Sequence, residues 1–477
     1  MIGIEPTPRF LIVRTLGLSI FIGLYAFFFG GETVGIHDLP LLQVDAVATE
    51  PVTESASLPA EQHADATEII TRLLNPVAGQ PTSVTLPPGT YRLTRTIDVD
   101  LSRSGTWSLH GNGTVRLLME GAGPALRLHG THTGTADPKT VKPEVWERER
   151  MPLIDGIEII GRHPEACGVE LVQTMQPTLT RVTVRECLHG IHLVTRNRNV
   201  QISDCHLYNN RGVGIYLDSV NLHQINIVGC HISYNRQGGI VCRNSEIRNL
   251  QIGTCDIEGN MGDDQPPTAN ILLDCRQGSV REGAIVGCTL QHNRHSPDSA
   301  NIRFLGQNDE NRLMVGIFSI ANNVLSDVRV NVHLQYARGV VLTGNTFWEG
   351  FDHNLLLEGC NDIVIGENLF DRNPDYKEET STNTLRLVNC RDCSLSGLHV
   401  HDVHGEANQA ALTLDHCQWV TLRNSMFLDN ANGAVELRSC ADCQVTDCAI
   451  RDNPSAGNNS PRIPPILDKD GRGNLIR

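Results

Sequence analysis

One phrase recurs along about two-thirds of this chain: a short aliphatic strand, then Cys or Asn, then a second short strand, then Asn. It stands as VQISDCHLYNN at 200–210, INIVGCHISYN at 225–235 and LQIGTCDIEGN at 250–260. Later copies are AIVGCTLQHN at 284–293, VVLTGNTFWEG at 340–350, IVIGENLFDRN at 363–373 and VTLRNSMFLDN at 420–430. Aligned on the central residue, the series runs Cys187, Cys205, Cys230, Cys255, Cys288, Asn323, Asn345, Asn368, Leu398, Ser425, Cys448, at intervals of 18 to 35 residues. Periodicity on this scale means a solenoid, in which each repeat leans on its neighbours.

Each repeat holds two or three strands of four to six residues, apolar at alternate positions, with Gly, Asn and Asp between them. That is strand chemistry with sharp turns. Nothing within 160–455 sustains a helical period, which disfavours helical repeats. A single coil cannot bury its own apolar face, but stacked coils can, strand over strand in parallel about 4.8 Å apart. The interior then becomes columns of like residues, for which Ile, Val and Leu suit and aromatics, 5% of the chain, are little needed. Asn at a repeated turn can hydrogen-bond the next coil and form a ladder.

The pattern resembles the right-handed parallel β-helix of the pectate-lyase superfamily, over roughly residues 66–455. The resemblance implies an all-β, single-stranded solenoid with an N-terminal capping helix. Residues 65–89, DATEIITRLLNPVAGQPTSVTLPPG, look like that superfamily's opening: an amphipathic helix, then a strand. Ile69, Ile70, Leu73 and Leu74 make one apolar face suited to plugging the solenoid's open end. WSLHGNGTVRLL at 107–118 reads as the first full coil, 119–460 as the β-helix and 461–477 as a tail.

Arg9 and Arg14 precede Thr15–Gly31, an uncharged run, and Glu32 and Asp38 follow it. Positive before and acidic after directs the downstream chain out of the cytoplasm. Residues 1–48 are therefore expected to be a signal peptide or a membrane anchor, 49–65 a linker, and the protein exported. The formal charge of −15 and the lack of a basic stripe argue against nucleic-acid binding. The 15 cysteines fall mostly on equivalent rungs: Cys187 to Cys288 in one column, and Cys360, Cys390, Cys417 and Cys440 in another. Stacked small apolar thiols explain them, although neighbouring rungs are near disulfide distance. Cys390-x-x-Cys393 and Cys440-x-x-Cys443 resemble zinc half-sites, yet both occupy corresponding repeat positions, which explains them without metal.

A parallel β-helix has no interior cavity, so function must lie on an outward face or on turns beside it. In the family resembled here, the groove runs along one sheet. The matching strands are GIHLV, GIYLDS, GIVCRN, NILLDC, NIRFLG and NVHLQY, each following the Asn-bearing turn. Alternation turns Ile191, Ile215, Ile240, Ile271 and Ile302 inward. It turns His192, Tyr216, Asp218, Arg243, Asp274, Arg303, His333 and Gln335 outward. Asp218, Arg243 and Asp274 occupy equivalent places on successive coils, with His192 and Tyr216 in the adjoining row. These five are the candidate catalytic residues. The turns add Arg211, Arg236, His292, Arg294 and His295, and a longer turn, MGDDQPPTA at 261–269, carries Asp263 and Asp264. Arg211, Arg236, Arg303 and His333 are candidate substrate ligands, and Asp263 and Asp264 candidate ligands for Ca²⁺.

The resemblance implies a carbohydrate-active protein on an acidic polysaccharide, with β-elimination the first expectation. A lyase needs a base for the α-proton beside a cation that neutralises the carboxylate. A glycoside hydrolase, needing two carboxyl groups at a set separation, or a uronate epimerase on the same groove remains open. So does a non-catalytic surface or adhesion solenoid, because alternating Asp and Arg on stacked strands is also ordinary cross-strand pairing. Polygalacturonases carry NTD, DD, GHG and RIK; this chain has a DD but neither GHG nor RIK. The insertion 131–152, with Trp146, is either an aromatic sugar platform or a solvated excursion.

Overall fold

Three parallel sheets run the length of the molecule, each built from one strand per coil. The computed structural model describes residues 64–75, 80–308, 312–376, 380–406, 409–452 and 464–477. The export or anchor segment and nearly all of the linker lie outside the described residues. Among those described, no helix is long and apolar enough to cross a membrane.

Sheet A stacks Ile97 through Ile191, Ile215, Ile302 and Leu412 to Ile466 in one inward column. Sheet B stacks Val84 through Ile202, Ile252 and Leu342 to Ile476. Sheet C stacks Tyr91 through Leu207, Ile257, Phe347 and Phe427 to Ile450. Nearly every inward residue is fully buried, each contributing about 1.5–3 kcal/mol. The chain is thus the expected all-β, right-handed parallel β-helix. The helix Thr67–Leu74 closes its N-terminal end, with Ile70 and Leu74 buried and Ile69 and Leu73 packed on the core. Trp107 Nε1 donates to the Leu74 carbonyl at 3.1 Å and ties this cap to the next coil.

The solenoid is longer than its sequence boundaries. Thr82–Thr85 already pairs with the strand opening at Trp107, so a coil precedes 107–118. Ile466–Lys469 pairs with Val435–Arg438, and Leu475–Ile476 with Gln444–Thr446, so the stretch expected to be a tail carries strands. The insertion 131–152 folds against the body. Val141, Val145 and Met175 form a small buried cluster with Trp146 packed on it, and Glu149 accepts from Thr131 N–H at 2.6 Å.

Two asparagine ladders stitch the coils. In the first, Nδ2 of Asn210 donates to Oδ1 of Asn235 at 2.8 Å, and Asn235 to Asn260 at 2.7 Å. At the long turn 261–269 the ladder passes to Asn270, which directly precedes the inward Ile271, and then to Asn301, Asn331 and Asn354. The second links Asn323, Asn345 and Asn368 at 3.0 Å per step. All fifteen cysteines are free thiols. Cys205, Cys230, Cys255 and Cys288 stack in the second ladder's column, each donating to the carbonyl two residues earlier. Cys187 does not belong there. Its N–H donates to Asn210 Oδ1 and its carbonyl accepts from Arg211, so it heads the first asparagine ladder; Val182 precedes Cys205. The interval of 18 residues, the shortest in the series, marked that misalignment.

A buried amide left without partners costs about 1–3 kcal/mol per orphaned group. Asn301→Ala strands the Asn270 donor and the Ser326 and Asn331 acceptors, all buried. It is expected to lower unfolding free energy by several kcal/mol, read by urea denaturation; an unchanged midpoint would show that the ladder does not hold the coils.

Candidate functional site

The strand row expected from the sequence exists in register. His192 pairs with Tyr216, and Asp218 with Arg243 and then Asp274, on neighbouring strands of sheet A. His192 bridges two carboxylates, Nδ1 at 3.3 Å from Glu170 and Nε2 at 3.2 Å from Asp218, and its ring stacks on Tyr216 at 5.3 Å. Burial opposes charge on His192, but the Glu170 and Asp218 hydrogen bonds outweigh it and raise its pKa. Asp274 is held bidentately by Arg276, at 2.8 and 2.6 Å, rather than by Arg243. Along the same row Val241 and Leu272 pack with Val213, Ala269 and Ala300 into a buried apolar patch.

The candidate substrate ligands are mostly occupied. Arg303 is only 3% exposed, locked to Asp298 at 2.9 Å and His333 at 3.1 Å. His333 in turn meets Glu358 at 2.8 Å. Arg211 donates to the carbonyls of Glu186 and His163 at 2.6 and 2.5 Å. Arg236 pairs with Asp264, and Asp263 accepts from Asn293 at 2.7 Å.

An open cavity lies elsewhere, at the corner where the chain leaves sheet C. In most coils the residue after the sheet C strand adopts a left-handed backbone. These residues stack in single file: Asn209, Tyr234, Gly259, His292, Asp327 and Glu349, with φ between 47° and 61°. The file breaks at Gly259. A Cβ there would stand 2.8 Å from Tyr234 Cδ1, so the glycine makes room for the tyrosine ring. Beside this gap opens a cavity of about 530 Å³, lined by Tyr234, Gly259, His292, Asn293, Arg294, His295, Asp327, Glu349 and Tyr376.

Its chemistry is mixed. His292 Nδ1 bonds Asp327, and that hydrogen bond raises the imidazole pKa despite partial burial. Arg294 lies over the Phe351 ring, 4.6 Å from its centroid, and its Nε donates to His295 Nε2 at 3.4 Å. Tyr234 and Tyr376 are 52% and 61% exposed, and Tyr376 leans on Trp348 at 5.0 Å between centroids. Glu349 is 3% exposed. Against Tyr234 stand His231, Asp256 and Glu258, whose ligand atoms lie within 4.8 Å of one another, the one such group among the described residues. His231 Nε2 is 3.8 Å from both carboxylates and has no hydrogen-bond partner. Burial and then the Glu258 charge raise the Asp256 pKa, while Glu258 and then burial raise that of Tyr234. Sequence reasoning named His292, Arg294 and His295 as turn residues. It missed Tyr234, Asp327 and Tyr376, which only the shared corner gathers.

A family model described as right handed beta helix region matches residues 148–265, and one described as periplasmic copper-binding protein (NosD) matches 274–457. No curated protein matches the chain. Among solved structures, tailspike protein 3 of bacteriophage CBA120 is 13% identical, with 83% of this chain and 52% of that one covered and a TM-score of 0.39. The chain therefore spans about half the length of that tailspike. The mannuronan C-5 epimerase AlgE4 A-module of Azotobacter vinelandii is 12% identical, with 88% and 96% covered and a TM-score of 0.36. The tailspike of E. coli bacteriophage HK620, solved with a pentasaccharide, is 11% identical, with 87% and 77% covered and a TM-score of 0.46. The protein is a right-handed parallel β-helix, the fold of pectate-lyase-like proteins.

Gly259→Ala tests how the cavity is made. At φ 61° and with the ring so close, the substitution is expected to cost about 1 kcal/mol. It should also displace Tyr234, as read by urea unfolding and a crystal structure. An undisturbed ring would show that the glycine is incidental.

Proposed function

We propose that this chain is an exported β-helix protein that binds an acidic polysaccharide in the cavity at the sheet C corner and cleaves it by β-elimination. The observation that carries the reading is one cavity that joins exposed tyrosine faces to a cationic edge, His292, Arg294 and His295. Aromatic faces suit sugar rings, and the cations suit a uronate carboxylate. Asp327 favours the charged form of His292, so the imidazolium neutralises the substrate carboxylate and acidifies the α-proton. When the Arg294 N–H turns from His295 Nε2 to the substrate carboxylate, the lone pair freed on that nitrogen takes the α-proton as base. The electron pair left behind forms the ring C=C bond, the adjacent glycosidic C–O bond breaks, and Tyr234 protonates the departing oxygen. Hydrolysis is less well served, because Asp327 is tied to His292 and Glu349 is buried. Export rests on the charge pattern around Thr15–Gly31 and on the periplasmic description of the matched family model.

A divalent cation fits best at His231, Asp256 and Glu258, where it would relieve two crowded carboxylates and partner the bare His231 Nε2. A mixed nitrogen and oxygen set suits Mn²⁺ or Zn²⁺ better than Ca²⁺. Calcium at Asp263 and Asp264 would have to compete with Asn293 and Arg236. Copper is in the name of the family model matching 274–457. Among the described residues of that span no three candidate ligands converge, and the stacked thiols Cys360, Cys390, Cys417 and Cys440 are buried against carbonyls. These residues do not form a copper site.

The test is ultraviolet absorbance of unsaturated uronate while the full-length protein meets a panel of uronic-acid polysaccharides. Absorbance should rise, and His292→Ala should lower kcat/KM by about 100-fold or more. Activity that survives His292→Ala but not Asp218→Ala and Arg243→Ala would move the chemistry to the strand row. A flat trace with no binding would leave the structural reading. Chelation should lower activity, with Mn²⁺ restoring it, and Glu258→Gln should abolish that response.

The pH dependence follows from the direction of the His292 shift. Its folded pKa lies above the ordinary 6.5. Any stability from the Asp327 pair is therefore complete below 6.5 and is lost as pH rises through the folded value. Affinity for the acidic chain should weaken as pH rises through the same folded value, and Asp327→Asn should move that transition to lower pH.

A further inference from the structure

The corner device that opens the His292 cavity occurs a second time, on a different corner. Where the chain leaves sheet A, Ser219, Asn244, Tyr336, Gly359, Asn389 and His416 are left-handed, with φ between 49° and 61°. Tyr336 and Gly359 are vertical neighbours: Tyr336 N–H donates to the carbonyl of Glu358 at 2.8 Å. A Cβ on Gly359 would stand 2.4 Å from Tyr336 Cε1. The tyrosine ring thus lies against the glycine of the next coil, as Tyr234 does at Gly259, and it is 38% exposed.

In front of this ring lies a cavity of about 710 Å³ whose wall carries Arg281, Arg312, Arg338 and Arg391. Among the described residues the one acid lining it, Glu358, is already engaged by His333 at 2.8 Å. Arg338 is paired with Asp362 at 2.9 Å, and Arg391 stands 4.0 Å from Asp392. Arg281 and Arg312 make no ion pair among the described residues. Arg281 Nε is buried without any hydrogen-bond partner. Arg281 is half-buried and Arg312 exposed in the cavity wall, so an anion entering the cavity would meet their charged guanidinium groups. The chain as a whole carries −15, so this concentration of arginine is local and not a reflection of general basicity.

We propose that this second cavity is a binding site for a carboxylate-bearing sugar unit. The Tyr336 ring takes the apolar face of the sugar, and Arg281 with Arg312 takes the carboxylate. The two halves demand different things of a ligand. The arginines alone would accept any small anion, whereas the tyrosine requires a ring with a flat apolar face. The cavity shares no lining residue with the one at His292, so the proposal stands whether or not that site cleaves anything.

Calorimetric titration of the full-length His292→Ala protein with trigalacturonate reads this site. Its methyl ester and inorganic sulfate are the comparison probes. Trigalacturonate should bind and the uncharged ester should not. Tyr336→Ala, and separately Arg281→Gln with Arg312→Gln, should each weaken binding by about tenfold or more, with circular dichroism unchanged. Absence of binding overturns the proposal. So does binding that Tyr336→Ala leaves intact while sulfate displaces the ligand, since the arginines would then hold an anion only. Wild-type cleavage of uronic-acid polysaccharide, measured in parallel, fails or survives independently of these outcomes.

Discussion

Each described strand of this molecule hydrogen-bonds in parallel to the equivalent strand one coil away, and that register governs all else. Because Ile191 must sit under Ile215 and Ile215 under Ile240, the interior can only be columns. Because the strands stay aligned, the corners between them must align as well. A right-angled corner in so tight a coil uses the left-handed region, which costs an ordinary residue about 1–2 kcal/mol. The chain meets this cost with Gly and with Asn, Asp and other residues whose corner geometry the neighbouring coils enforce. Asparagines beside those corners then satisfy buried backbone groups as well as one another. The ladder is thus the complement of the corner, supplying the hydrogen bonds that the bend removes from the sheets.

The same rule separates scaffold from site. On sheet A a charged residue is held at a fixed spacing from its neighbours above and below, so opposite charges pair. Arg127 with Glu170, His192 with Asp218, and Arg386 with Asp415 are such pairs. Such rows stabilise modestly and leave little free valence. At the corners, side chains fan outward and a glycine removes one from the file. The gap beside Tyr234 and the gap beside Tyr336 both arise in this way, and each opens next to arginine-bearing turns.

Much of this was legible in the residues. The spacing of the repeat, the aliphatic alternation and the Asn after each strand specify a parallel solenoid with an internal ladder. The register of Asp218, Arg243 and Asp274 was readable by counting, since alternation and repeat alignment are both one-dimensional. The alignment faltered at Cys187, where a cysteine heading the Asn ladder was taken for the thiol-column position that Val182 holds. The burial of Arg303 was not readable, because the cover comes from a turn in the preceding coil, through Thr268, and from Asp298. Nor was the His292 cavity. Its residues come from coils 20 to 35 residues apart, and nothing in Tyr234, Asp327 or Tyr376 taken singly marks them as neighbours.

The sequence by itself determined the architecture, because a β-helix repeats one local pattern, and that pattern is written at every coil. It also determined which residues face inward, since alternation along a strand needs no knowledge of the rest of the chain. Which outward residues are spent on one another and which face an open space was decided only by the tertiary structure. That distinction depends on distances between side chains of different coils and on turns folding over the sheet.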